Sequence, residues 1–134
     1  MTSNTGTIVL VCSLLLGANA DAGTNSFSRV AASGQLKRVA AYHSWDPQNC
    51  ISLSAKMNVV SKPSHGVLIP RVVPHAITTS RFGSVGNCAG KPIKALQIEY
   101  KSVSGYHGTD TFTIDITFGW EGRRDIDTYT ITVE

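Results

Sequence analysis

The sequence predicts an all-β chain, an antiparallel β-sandwich of about seven strands closed by one disulfide, and three observations predict it. Apolar and polar residues alternate strictly toward the C-terminus. Short strand-like runs are punctuated by Gly, Pro, Asn and Asp, and no window carries a 3.6-residue period. With 134 residues, 42% hydrophobic and 16% charged, the chain has room for one domain with a core.

The first 22 residues stand apart. Ile8–Leu16 is an apolar run, followed by the small-x-small patterns Ala18-Asn-Ala20 and Ala20-Asp-Ala22, so residues 1–22 read as a cleaved export signal. That run is far short of the roughly 20 apolar residues that span a bilayer, and no other stretch of the mature chain is long enough. A secreted or periplasmic location follows as the expectation. Cleavage removes Cys12 and leaves Cys50 and Cys88 as the only thiols in an oxidising compartment. A single disulfide between them is the expected arrangement, against free reactive thiols or shared metal ligation.

Residues 23–34 are small and polar without a sustained period and read as a flexible tail, which places the domain over residues 35–134. Strand-like runs follow at Leu36–His43, Lys56–Ser61, Gly66–Val72, Ala76–Phe82, Lys94–Lys101, Thr109–Phe118 and Asp125–Val133. In the sixth run Phe112, Ile114, Ile116 and Phe118 share one face, and Thr111, Thr113, Asp115 and Thr117 the other. Leu96, Ile98 and Tyr100 point inward in the fifth, and Tyr129, Ile131 and Val133 in the last. Ile126 is out of phase, which predicts a strand starting at Asp127 or a bulge. Gly119–Arg124 is the hairpin loop between the last two strands.

Loss of Asp21 with the signal adds one positive charge to the formal +3 of the whole chain. The basic residues are scattered and not interleaved with stacking aromatics, which argues against nucleic acid and leaves room for an anionic surface or polysaccharide. His43, His65, His75 and His107 are spread over different runs without zinc-ligand spacing, and no cofactor motif is present. His43-Ser-Trp-Asp46 holds His, Ser and Asp within four residues. On one extended segment they point in different directions, so a small enzyme or enzyme inhibitor using this segment is the alternative and not the main expectation.

Trp120 at the hairpin tip, with Arg123 and Arg124 beside it, has the composition of an interaction hot spot or a sugar-stacking platform. The plain alternative is that Trp120 folds back over the open end of the two sheets. Trp45, close in sequence to Cys50, is expected to pack around the disulfide.

Tyr100-x5-Tyr106-His-Gly-Thr-Asp-Thr-Phe112, its alternating continuation and the closing Tyr129-Thr-Ile-Thr-Val133 resemble the immunoglobulin-like and cadherin-like modules of bacterial secreted and surface proteins. Lys62-Pro-Ser-His-Gly-Val67 is similar to the segment that opens a middle strand in the same modules. The resemblance implies an immunoglobulin-like fold and, by analogy, a non-catalytic role in adhesion or binding, with an envelope protein or polysaccharide as partner. It also raises calcium ligation at Asp110, but the acidic runs of junction calcium sites are missing. Gly105, Gly108 and Asp110 are instead assigned to a structural turn that Asp110 ties down.

Overall fold

The computed structural model describes residues 22–134, strand and loop apart from one 3-10 turn at Gly86–Cys88. Eight strands follow one another: β1 (Gly23–Ala31), β2 (Leu36–Trp45), β3 (Ser52–Leu53), β4 (Lys56–Ser61), β5 (Gly66–Ala76), β6 (Pro92–Ser102), β7 (Gly108–Thr117) and β8 (Arg124–Val133). They form two four-stranded sheets, ordered β1-β8-β7-β4 and β3-β2-β6-β5. The export signal expected over residues 1–22 lies, but for Ala22, outside the described residues. Among the described residues no helix is long and apolar enough to cross a membrane.

Alternation does what half-buried strands require. Phe112, Ile114 and Ile116 of β7, and Tyr129, Ile131 and Val133 of β8, pack against Tyr42 of β2 and Ile98 and Tyr100 of β6 in one core shared by both sheets. A second, smaller core of Trp45, Ile77, Cys88 and Ile93 lies under the long loop between β5 and β6. The Cys50–Cys88 disulfide closes this corner, and Trp45 packs beside it.

Four expectations are corrected. Residues 23–31 are not a tail: β1 pairs in parallel with β8 along its whole length, from Gly23↔Asp125 to Ala31↔Val133, so the sheets are not purely antiparallel. Its alternating Phe27, Arg29 and Ala31 supply an inner face, and the Phe27 ring stacks on Tyr129 at 5.0 Å. Eight strands are present among the described residues, because β1 and the two-residue β3 join the set while Ile77–Phe82 is loop. β8 begins at Arg124 in unbroken register with β7, with no bulge at Ile126.

The reason for the fourth correction matters most. Asp125 and Asp127, not Ile126, occupy the inward phase of β8, and both are buried. The strand obeys period 2 with two carboxylates in apolar positions, which the rest of the fold must satisfy.

Bulges occur elsewhere: at Val60 in β4, where the register against β7 shifts between Val59 and Ser61, and at Val39 in β2, where the register against β6 shifts between Arg38 and Ala40. Arg38 and His43 are five residues apart, an odd interval that puts residues of a regular strand on opposite faces. The extra residue restores both to the outer face of the second sheet, opposite Glu99 and Ala95.

Candidate functional site

The hairpin tip is placed by its turn and by a close approach. Glu121 and Gly122 both take positive φ (53° and 61°), as the centre of a tight hairpin turn requires, and Arg123 N donates to Trp120 O. Gly119 lies so close to β3 that a Cβ there would stand 2.7 Å from Leu53 Cβ and 2.9 Å from Ser54 O. A side chain at 119 is excluded, and the tip is pressed against the end of β2, where Trp120 N donates to Ser44 Oγ at 3.0 Å.

Facing the tip is the loop between β5 and β6. Together they bound a cleft of about 300 Å³ whose walls carry Trp45, Trp120, Phe82, Arg81 and Arg123, with the hydroxyls of Ser44, Thr79 and Ser80. Trp120 is half-buried and Phe82 40% exposed, so both side chains are partly accessible to solvent. Arg123 lies over the Phe82 ring at 5.0 Å and bonds Glu121.

The floor of the cleft is a buried polar network. Arg81 Nη1 donates to Asp125 Oδ2 at 2.6 Å and to Asp127 Oδ2 at 3.1 Å. Asp127 also accepts from Tyr42 OH at 2.6 Å and from Asn25 Nδ2 at 2.8 Å, and Tyr42 OH meets Tyr129 OH at 2.7 Å. Burial works against the Arg81 charge, but its two carboxylate bonds outweigh that and hold the guanidinium proton above the ordinary range. Burial, then the bond to Asp127, pushes the Tyr42 hydroxyl well up, so it stays a donor.

Of the residues singled out from sequence, Trp120 and Arg123 line the cleft. Arg124 does not: it turns to the outer face and grips Asp115 through both nitrogens Nε and Nη2. The hydrogen bonds from Arg124 hold the Asp115 carboxyl below its usual range. Gly105 and Gly108 take φ of 84° and 140° in the β6–β7 turn. Asp110 ties down the turn between β4 and β5, accepting from Ser64 N at 2.8 Å and His65 N at 3.0 Å, and also accepts from Thr111 N at 3.0 Å and Tyr100 OH at 2.8 Å, none of them in the β6–β7 turn. Those four donors account for the carboxylate. Among the described residues no three His, Cys, Asp or Glu side chains gather as a metal site.

The His43–Asp46 segment separates as its geometry dictates. Ser44 Oγ accepts Trp120 N and Asp46 Oδ1 accepts Gln48 N, while His43 Nδ1 is buried without a partner. His43 instead stacks between Trp45 (5.7 Å) and His75 (4.5 Å).

Burial, then the positive fields of His75 and Arg81, lowers the His43 pKa below 6.5. As pH falls through about 6.5 the unfolded chain takes up this proton before the folded one, so stability is lost on acidification. Thermal melts at pH 7.5 and 5.5 are expected to show a smaller acid-induced drop in His43→Gln than in the natural chain. An equal drop in both removes His43 as a cause.

Arg81, Phe82 and Thr79 escaped the sequence reading, and Ser44 entered it only as part of the His43–Asp46 segment. The signal was present in Asp125-Ile-Asp127: two acids in the phase of Tyr129, Ile131 and Val133 demand a buried cation from elsewhere in the chain.

No family model matches the chain, and no curated protein matches it. Among solved structures, the solution structure of Amebosin is similar at a TM-score of 0.41 and 14% identity, over 85% of this chain and 100% of that one. A likeness that slight shows neither a family nor a function.

Proposed function

We propose that the chain is an exported, secreted or periplasmic, non-catalytic binding module of immunoglobulin-like type, and that its ligand docks in the cleft between the Trp120 hairpin and the β5–β6 loop. The observation that carries this reading is the lining itself. Two partly exposed aromatic side chains, two arginines and three hydroxyls converge in a recess whose walls are fixed by the Gly119 approach and the Arg81 network. Stacking faces with hydroxyl donors and acceptors suit a sugar ring, and fixed walls spare the ligand the ordering cost of binding. Ser44, the nearest nucleophile-type side chain, spends its oxygen on the Trp120 amide and has no bonded base, which favours binding over hydrolysis.

A glycan array tests it. The natural chain is expected to bind a subset of polysaccharides, and Trp120→Ala to lose at least tenfold in affinity, on the order of 1.4 kcal/mol, with an unchanged circular dichroism spectrum. Binding that survives Trp120→Ala moves the site elsewhere. An array without a binder leaves a structural envelope component as the better reading.

A further inference from the structure

We infer that the ligand of this cleft is an acidic polysaccharide, whose carboxylate or sulfate group sits in a basic groove leading out of it; this rests on the binding reading above. The groove, about 330 Å³, is lined by Arg29, Arg38, His43, His75 and Thr79, and it shares Ala41, His43 and Thr79 with the aromatic cleft. One ligand therefore reaches both.

Its charge is unbalanced. Neither Arg29 nor Arg38 has a carboxylate within ion-pair distance among the described residues. The acids that could reach them are already committed. Glu99, directly across from Arg38, bonds Arg71 at 2.7 Å and Gln97 at 3.0 Å, and Asp125 and Asp127 belong to Arg81. Arg29 is held in place, its Nε donating to Val39 O at 3.0 Å, and the Val39 bulge puts Arg38 on the same side as His43. His43 Nδ1 and His75 Nε2 are buried without partners, and burial, then the positive fields of His75 and Arg81, disfavours the charged form of His43. An anion supplies the negative charge that the groove lacks, and guanidinium forks match a carboxylate or sulfate.

The remaining lining selects the carrier of the anion. The cleft is recessed and bears Ser44, Thr79 and Ser80 hydroxyls beside Trp120 and Phe82, which fits a hydroxylated ring and not a flat membrane surface.

The experiment is calorimetric titration with galacturonate, glucuronate and alginate oligosaccharides and with their methyl esters, which keep the ring and remove the charge. The natural chain is expected to bind at least one acid about tenfold tighter than its ester, and Arg38→Gln to bind acid and ester alike, the loss expected for one charge-assisted bond. Trp120→Ala is expected to weaken both.

Equal binding of acid and ester overturns the acidic inference while leaving the cleft reading intact if Trp120→Ala still fails to bind. An acid preference that survives Trp120→Ala but not Arg38→Gln separates groove from cleft and overturns both as one site. Failure of every acid, or equal dependence on Trp120 and Arg38 for single-stranded oligothymidylate, also overturns it.

Discussion

Replacing Asp127 with alanine is expected to cost about 3 kcal/mol of folding stability, because it removes the fully buried partner of an ion pair whose arginine is partly exposed, and with it the acceptor of three hydrogen bonds. The side chain of Asp127 is completely buried, and three donors from three parts of the chain converge on it: Asn25 of β1, Tyr42 of β2 and Arg81 of the β5–β6 loop. Without it Arg81 keeps only Asp125, and Asn25 loses its acceptor. For a domain of this size the melting temperature should fall by roughly 12 °C. Urea unfolding followed by tryptophan fluorescence measures the loss. A cost below about 1 kcal/mol would mean that water enters and replaces the carboxylate. Arg124→Ala is the matched control, since its pair with Asp115 is bidentate but its side chain is 49% exposed, and a much smaller loss is expected there.

The second large effect concerns the disulfide. Cys50→Ala with Cys88→Ala opens a crosslink that spans 38 residues, and the chain-entropy relation for a loop of that length gives a loss of about 4 kcal/mol. The damage should be local as well as global. Cys88 is buried against Trp45, Ile77 and Ile93, the small core that fixes the loop carrying Thr79, Ser80, Arg81 and Phe82. Amide exchange is therefore expected to speed up first across that loop, before the β7–β8 pair opens. A double variant within about 1 kcal/mol of the natural chain, with unaltered exchange in the loop, would show that the small core holds the cleft wall without the crosslink.

Strands with one dry and one wet face were legible because a period of 2 is written directly into residue type. β7 reads correctly from Phe112 to Thr117, and the turn signals around Gly119–Arg124 locate the hairpin that bears Trp120. What was not legible depends on residues far apart in the chain. β1 has a polar, small-residue composition that reads as tail, and only the open edge of β8 makes it a strand. Asp125 and Asp127 look like a break in phase until Arg81, more than 40 residues earlier, is placed beneath them. Arg81 itself was hidden in a strand-like run, Ala76–Phe82, whose residues 77–82 form loop because the disulfide and Trp45 hold Ile77 in another core. Half of the cleft was therefore visible as the hairpin tip, and the other half was not.

The parallel seating of β1 on β8 also orders events in time. The Asn25–Asp127 bond joins residues 102 positions apart, so the edge strand of the first sheet has nothing to pair with until the last ten-residue strand exists. Such closure across the whole chain places folding in the slow, non-local regime of milliseconds to seconds.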